Sequence, residues 1–316
     1  MKVLVTGGAG YIGCQLVYEL SKNDNISQII VYDNLSRGNH NLFISKNNRI
    51  EGAKVKFVLG DLLDSRKIKS TLKGVEIVYH LAAKVATPYS NVDSHAYEQN
   101  NNWGTSELIA AAEEVGTVKK FFYLSSTGVY GSSKEIITSV DNPNPRTVYG
   151  TSKLRGESHV ERINGNMETM ILRCGNVYGY SPCIRFDSVI NKFLFEAHYN
   201  NRISIHGSGK QSRSFIHVDK VVAALVQLTN SPAPSGTYNL TDKNYILLDL
   251  VDVFKELYPE LEFIFINQHL ALRELQVAPD ERLSNYISLG DSDLKEELTK
   301  VKEQYFAFGY NSLVLQ

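Results

Sequence analysis

This chain is poor in cysteine, has almost no net charge and lacks a long apolar run. Its three cysteines, Cys14, Cys174 and Cys183, include no CxxC pair and are too few for a disulfide framework, so we expect a reducing compartment, the cytoplasm. The 33 basic and 34 acidic residues leave a net charge of −1, which excludes a global field that would attract nucleic acid or an anionic membrane surface. No stretch approaches the roughly 20 apolar residues of a membrane span, so we expect no membrane partner.

Short apolar runs alternate with amphipathic segments in the first half of the chain. The predicted strands lie at residues 2–6, 28–32, 55–59, 77–81, 120–125 and 169–173, and the predicted helices at 11–22, 64–73, 95–115 and 149–163. The strands are almost continuous in Val, Ile, Leu, Phe and Tyr, as in a parallel sheet that is covered on both faces. This alternation predicts an α/β fold, a Rossmann-type doubly wound parallel sheet.

The alternation of strands and helices becomes less regular after residue 176. Helices are predicted at 186–199, 218–229, 246–257 and 291–305, and short strands at 203–206, 238–240 and 262–266. We therefore predict a first domain over residues 1–177, with residues 203–240 partly interleaved. A smaller C-terminal α/β lobe over residues 178–316 is predicted to close over a ligand.

A glycine-rich turn connects the first strand to the first helix. Gly7, Gly10 and Gly13 have G-x-x-G-x-x-G spacing, with Tyr11 and Ile12 between the last two. Such glycines let the backbone approach a pyrophosphate at the helix N-terminus, although a turn that serves packing alone would look similar. Asp33 supports the functional interpretation, because it ends the second strand 20 residues after Gly13.

The carboxylate of Asp33 is placed to bind the ribose hydroxyls of a dinucleotide. It would repel a 2′-phosphate, so we predict NAD rather than NADP, although Arg37 is a nearby cation. Asp61 and Leu62 close the third strand, where an acid and a backbone N–H can meet adenine. Asp61 could instead cap the next helix, a role that Asp64 would fill equally well.

Tyr149 and Lys153 lie one turn apart on one helix face. An adjacent ammonium lowers the pKa of a tyrosine, so Tyr149 can act as general base on a substrate hydroxyl while hydride leaves the same carbon. Lys153 can also bind the nicotinamide ribose. A solvated surface pair would show the same spacing, but the preceding strand ends in Ser126, at the sheet edge where ligands bind. Ser125 is the alternative hydroxyl, and alternation directs the two side chains to opposite faces.

These residues carry a resemblance to a known family. The motifs are TGGAGYIG, Asp33-Asn34-Leu35, Gly60-Asp61-Leu62, His80-Leu81-Ala82-Ala83, SSTGVYG from Ser125 and YGTSK from Tyr149. In this order they resemble the extended short-chain dehydrogenases/reductases, and more narrowly the NAD-dependent nucleotide-sugar epimerase/dehydratase group, the UDP-galactose 4-epimerases among them. The resemblance implies catalytic roles for Ser126, Tyr149 and Lys153, and a homodimer that forms through the helices at 95–115 and 149–163.

The resemblance also implies further binding residues. Asn34, Ala82, Lys84 and Asn101 match positions that approach the cofactor or support the catalytic helix, and Thr127 and Asn176 match substrate positions. Arg213 is similar to an arginine that binds the nucleotide pyrophosphate, with an ion pair between the lobes as the alternative role. Arg282 is a weaker match to a second phosphate contact. Ser214 and Lys220 depart from the family, which has aspartates there.

Gly128 bears on which reaction is catalysed. The family's dehydratases usually place a glutamate immediately before VYG, and its decarboxylases commonly do so too, whereas this chain has Thr127-Gly128. Neither residue is an acid or base at neutral pH, so the resemblance implies a nucleotide-sugar epimerase that inverts C4 of a UDP-, GDP-, dTDP- or CDP-linked sugar through a transient 4-keto sugar. A 4-dehydrogenase or 4-keto reductase with net redox, a 4,6-dehydratase and a non-catalytic NAD-binding protein remain alternatives.

Overall fold

A computed structural model describes residues 1–44, 54–85, 93–139, 141–268 and 272–306. The strands of this part are β1 Lys2–Thr6, β2 Gln28–Asp33, β3 Val55–Leu59, β4 Ile77–His80, β5 Lys120–Ser126, β6 Ile136–Ile137, β7 Glu168–Cys174, β8 Asn176–Tyr178, β9 Arg202–His206, β10 Ser212–His217, β11 Gly236–Leu240, β12 Lys243–Ile246, β13 Glu262–Ile266 and β14 Gln276–Val277.

The α-helices are α1 Tyr11–Ser21, α2 Asn41–Ile44, α3 Ser65–Leu72, α4 Ser94–Tyr97, α5 Gly104–Val115, α6 Val148–Arg162, α7 Val189–Asn200, α8 Val218–Thr229, α9 Leu247–Leu257, α10 Glu281–Ser284 and α11 Leu294–Gln304. A π-helical segment, Glu98–Trp103, joins α4 to α5, and a short 3₁₀ helix, Thr127–Tyr130, follows β5. In the described ranges no helix is long and apolar enough to span a membrane.

The main sheet of the described chain has seven strands in the order β3-β2-β1-β4-β5-β7-β11. All its neighbouring pairs are parallel. The strands bury both faces, since Val5 and Leu172 lie in one apolar cluster and Leu4 and Ile171 in the other. This arrangement confirms the doubly wound fold. Its order reverses between β1 and β4, so the ligand crevice of such a sheet lies beyond the carboxyl ends of those strands.

The second half of the chain contributes to the main sheet and builds smaller ones. β11 pairs with β7 although it follows residue 178, and α8 packs on α1. The smaller sheets are β8-β10-β12, β9-β13 and β6-β14. β8, β10 and β12 were not predicted as strands, because their polar residues hide the alternation. The division near residue 177 therefore stays a prediction.

The predicted helix at 95–115 is interrupted. Its middle turn is the π-helical segment, which contains the buried Asn101. A π turn inserts one residue into a helix and is often found at functional sites. The insertion shifts the register between α4 and α5 at the point where Asn101 meets the catalytic helix.

Candidate active site

The glycine turn forms a cradle that only glycine permits. Gly7 has φ of +69°, and a Cβ there would lie 2.6 Å from the backbone N of Ala82. A Cβ on Gly13 would lie 2.2 Å from the carbonyl oxygen of Gly7, and one on Gly10 would lie 3.1 Å from the same oxygen. The backbone therefore packs against itself at the start of α1. This geometry fits a pyrophosphate at the helix N-terminus.

Tyr11 and Ile12 follow within α1 and have structural contacts of their own. The Tyr11 hydroxyl donates to the Gly179 carbonyl at 2.6 Å, and the Ser181 hydroxyl donates to the Tyr11 carbonyl at 2.7 Å. Ile12 packs against the main core. Tyr11 thus connects the glycine turn with the segment after β8.

Asp33 ends β2 beside the glycine turn. One carboxylate oxygen accepts the Ala9 N–H at 3.0 Å, and the other accepts the Leu35 N–H at 2.8 Å. These two bonds fix the carboxylate and leave lone pairs on both oxygens. Its position is suitable for a diol such as the adenosine ribose, as the motif predicts. Arg37 lies near Arg185, and desolvation together with this second guanidinium lowers its pKa.

The Asp61 carboxylate does not cap a helix. It accepts the Asn34 side-chain N–H and the Leu63 backbone N–H, both at 2.9 Å. Asp64 caps α3 instead, by accepting the Lys67 N–H at 3.0 Å. Asp61 and Asn34 therefore form a polar pair at the ends of β2 and β3, and Leu62 beside them is buried. The alternative role considered for Asp61 belongs to Asp64.

Ser126 and Tyr149 meet where β5 ends and α6 begins. Thr147 caps α6 by accepting the Gly150 N–H at 3.0 Å, which places Tyr149 in the first turn. The hydroxyls of Ser126 and Tyr149 are hydrogen-bonded. Burial raises the pKa of Tyr149, while the bond to Ser126 and the charge of Arg185 act in the opposite direction.

Lys153 lies one turn further along α6 and is 2% exposed. Its Nζ is 4.1 Å from the centroid of the Tyr123 ring. Burial lowers the pKa of Lys153 to about 7, against the opposing charge of Glu157. The sequence predicted a Tyr149 pKa lowered by Lys153. The structure corrects the direction, because burial raises the pKa of Tyr149 by more than the Ser126 bond and the Arg185 charge lower it.

Ser125 has a different partner from Ser126. Its hydroxyl donates to Glu157, and the same carboxylate forms an ion pair with Arg173 at 2.8 Å. Ser125 therefore bonds to a buried ion pair, whereas Ser126 bonds to the tyrosine. This places Ser126, rather than Ser125, next to Tyr149.

Asn101 fixes the loop that follows β4 to the catalytic helix. Its amide oxygen accepts the Lys84 N–H at 2.8 Å, and its amide N–H groups donate to the Lys84 carbonyl at 2.9 Å and to Ser152 at 3.0 Å. Ser152 in turn donates to the Tyr149 carbonyl at 2.9 Å. These bonds give Asn101 a supporting position, while the Lys84 side chain is exposed. Ala82 lies beside the glycine turn.

Gly128 faces the catalytic pair. A Cβ at this position would lie 3.3 Å from Ser126 Oγ and 3.7 Å from two ring carbons of Tyr149. The neighbouring Thr127 is buried. A side chain at residue 128 would therefore point toward the reacting groups, and this chain has none there.

Two arginines of the second lobe face one another. Arg213 lies on β10 and donates to the Ser212 carbonyl at 3.1 Å. Burial and the nearby Arg273 lower the pKa of Arg213 to about 10. In the described part of the chain Arg213 forms no ion pair, so the alternative of an ion pair between lobes has no support there. Arg273 was not singled out from the sequence, since no motif marks it.

Asn176 and Arg282 occupy different places. Asn176 is exposed at the start of β8, and its side chain donates to the Ser214 carbonyl at 3.0 Å. Arg282 donates to Asp280 at 2.7 Å and to the Thr237 carbonyl at 2.7 Å. Its donors are thus held against β11, and its position gives no support to a phosphate contact.

The two departures from the family pattern have local partners. The Lys220 ammonium forms an ion pair with Asp242 at 2.6 Å. Ser214 donates to the Asn244 side chain at 2.6 Å and accepts the Val277 N–H at 2.8 Å. Both residues are buried, so both substitutions act in packing.

The cysteines are buried free thiols. Cys174 lies near Lys153, and burial raises its pKa to about 12. Cys183 is hydrogen-bonded to Cys14 and lies near Asp33. It is therefore on the side of the predicted adenosine site.

Known proteins are similar to this chain in sequence and in fold. The profile of the NAD dependent epimerase/dehydratase family matches residues 3–241. Human dTDP-D-glucose 4,6-dehydratase is 33% identical over 248 residues, which cover 76% of this chain and 68% of that protein. YtcB of Bacillus subtilis, named an uncharacterized UDP-glucose epimerase, is 29% identical over 237 residues, which cover 73% of each protein.

Solved structures extend the likeness over nearly the whole chain. MoeE5, solved with UDP-glucuronic acid and NAD, is 25% identical and has a TM-score of 0.80, with 96% of this chain and 98% of MoeE5 covered. Together with the family match, this confirms the resemblance, the fold and the NAD prediction. The chain belongs to the NAD-dependent epimerase/dehydratase family.

Proposed function

We propose that the protein is an NAD-dependent nucleotide-sugar 4-epimerase. The observation that carries this proposal is Gly128, whose side-chain position faces Ser126 and Tyr149 but holds no acid or base. A dehydratase must move a proton at the carbon next to a ketone, and neither Thr127 nor Gly128 can do so at neutral pH. The remaining groups suffice for oxidation at C4 and reduction on the other face of the sugar.

The chain's own residues would perform the proton transfer. Tyr149 Oη accepts the proton of the sugar hydroxyl, and Ser126 Oγ, hydrogen-bonded to it, orients that hydroxyl. Lys153, when protonated, favours the phenolate of Tyr149 and would bind the nicotinamide ribose. Gly7, Gly13 and Asp33 would hold the rest of the cofactor. NAD, when bound, would supply the acceptor and donor of the C4 hydride, so turnover would have no net redox change.

The second lobe would bind the nucleotide. Arg213 and Arg273 bring two positive charges together, and among the described residues Arg213 forms no ion pair, although the charge of Glu274 acts on it. Two neighbouring guanidinium groups suit a diphosphate. Thr127 and Asn176, which match substrate positions of the family, would contact the sugar and its phosphate. The solved structure of MoeE5 with UDP-glucuronic acid supports a nucleotide sugar as substrate.

The human relative favours a second candidate, a 4,6-dehydratase. That reaction needs a proton-transferring group close to the keto sugar, and Gly128 opposes it. A 4-dehydrogenase or 4-keto reductase would use the same Ser126, Tyr149 and Lys153. The products distinguish these reactions directly.

We further propose a cytoplasmic homodimer. Its interface would form from the π-helical segment, α5 and α6. Trp103 on this face is 54% exposed, and a dimer contact there would bury part of its indole ring. Sedimentation of the wild type and of Trp103→Glu would test this interface. A monomeric wild type would contradict it.

The activity is tested with a panel of nucleotide sugars. Purified protein is incubated with UDP-, GDP-, dTDP- and CDP-linked hexoses, and the products are identified by NMR. We expect the C4 epimer of one substrate, loss of turnover in Tyr149→Phe, and retained turnover in Tyr79→Phe. Tyr79 is a matched control, because its buried hydroxyl bonds Thr229 rather than Ser126. Equal activity of both variants would contradict the catalytic assignment.

A further inference from the structure

A buried ion cluster lies beneath the catalytic helix. Glu157 is 1% exposed, and its carboxylate accepts bonds from Arg173 Nη2 at 2.8 Å and from the Ser125 hydroxyl. Arg173 also donates to the Tyr130 hydroxyl at 3.0 Å, which donates to Asn239 at 2.7 Å. The cluster connects β5, α6, β7 and β11. Two charges buried this deeply carry a large desolvation cost, so their retention calls for a reason beyond stability.

Glu157 is one helical turn from Lys153. The spacing of four residues puts both side chains on the buried face of α6. Ser125 and Arg173 are neighbours in the register of β5 and β7, so their side chains meet the helix from the sheet side by side. The carboxylate is thereby held at a fixed place next to the lysine.

The groups that interact with Lys153 come from several elements. They are Tyr123 on β5, His80 on β4, Cys174 on β7 and Glu157 on α6 itself, where Tyr149 lies one turn earlier. Burial raises the pKa values of Tyr123 and Cys174 and lowers that of His80 to about 3, so these three side chains are neutral at neutral pH. Glu157, paired with Arg173, supplies the negative charge in this set.

We propose that Glu157 is a positioning residue that raises the protonated fraction of Lys153 at neutral pH, with Ser125 and Arg173 holding its carboxylate in place. Lys153 is buried, and burial alone favours its neutral form. A neutral Lys153 would no longer favour the phenolate of Tyr149. The ion cluster therefore sets the upper pH at which the site can work, although it touches neither substrate nor cofactor. The catalytic consequence rests on the proposed function, whereas the charge state of Lys153 does not.

The test observes Lys153 directly. Lysines are labelled with ¹³C at Cε, the Lys153 resonance is assigned by its absence in Lys153→Met, and its titration is followed by NMR. In the wild type we expect a midpoint at about 7. In Glu157→Gln the midpoint should move to lower pH, with about tenfold less protonated Lys153 at neutral pH. Glu161→Gln is the matched control, because it removes the same charge one turn further along α6, where Glu161 is exposed, and its midpoint should stay near that of the wild type.

A second variant separates charge from folding. Should Glu157→Gln fail to fold, Arg173→Met/Glu157→Gln removes both members of the ion pair and should still shift Lys153 downward, by less than the single variant because a positive charge is lost as well. A Lys153 midpoint unchanged in the variant that folds would overturn the proposal and leave the cluster a purely structural role. In activity we expect Glu157→Gln to lose kcat at the alkaline limb of the pH profile, with KM for the nucleotide sugar unchanged.

Discussion

Replacing Gly128 by glutamate tests whether an acid facing Tyr149 is compatible with the proposed chemistry. The Cβ would lie 3.7 Å from the Tyr149 ring, so the carboxylate can reach within about 5 Å of the phenolic oxygen. At that separation and an effective dielectric constant of about 20, two negative charges repel by about 3 kcal/mol. This disfavours the phenolate by about two pH units. We therefore expect Gly128→Glu to lose tenfold to 100-fold in kcat at neutral pH, and its pH profile to move upward.

Gly128→Ala is the matched control. Its Cβ would be in ordinary contact with the tyrosine, and Ser126 Oγ at 3.3 Å would have to move only by a few tenths of an ångström. We expect this variant to keep kcat within a few-fold and to unfold at a similar urea concentration. The assay is the initial rate of C4 inversion, measured by NMR between about pH 6 and pH 10, a range that covers both limbs of the pH–rate profile. Wild-type kcat and an unshifted profile in Gly128→Glu would refute the placement of residue 128 beside Tyr149.

Three further predictions concern the cofactor cradle and the buried polar groups. Gly13→Ala should abolish NADH binding in a fluorescence titration, because its Cβ would lie 2.2 Å from a carbonyl oxygen, and wild-type affinity would contradict the cradle. Arg173→Met should lower the free energy of unfolding by about 3–5 kcal/mol by leaving Glu157 buried without its partner, and the double variant with Glu157→Leu should recover most of it. If the single and the double variant lost the same free energy of unfolding in urea, this would contradict the role assigned to the ion pair. Burial lowers the pKa of His80 to about 3, so the folded state binds fewer protons than the unfolded state below about pH 6.5. As the pH drops from 6.5 toward 3, the free energy of unfolding should therefore fall more steeply in the wild type than in His80→Gln, by about 1.4 kcal/mol per pH unit. Parallel curves of unfolding free energy against pH would contradict this prediction.

The sequence predicted the main sheet well because its strands are short apolar runs between helices, and burial on both faces makes that pattern unambiguous. The glycine turn and Asp33 were equally readable, since their spacing follows from the geometry of a strand–turn–helix unit. The strands of the second lobe were harder to find. β10 contains Ser212, Arg213 and Ser214, whose polar side chains bond to neighbouring strands and to backbone carbonyls.

The electrostatics of the site lay beyond the sequence. Spacing alone indicates that Tyr149 and Lys153 are neighbours, but the sign of each pKa shift depends on burial, which the fold determines. Glu157 is a single helical turn from Lys153, yet its role depends on Ser125 and Arg173 from two other strands. Arg273 meets Arg213 across the chain, and no local pattern links them.

The measurement that tests the central claim most directly follows the hydrogen at C4. A nucleotide sugar deuterated at C4 is converted in ordinary water, and both sugars are analysed by NMR and mass spectrometry. If the protein is a 4-epimerase, the deuterium stays at C4 in substrate and product, with no exchange at C5 and no accumulation of NADH. A 4-keto-6-deoxy product, deuterium transferred from C4 to C6, or a stoichiometric gain of NADH would contradict the account.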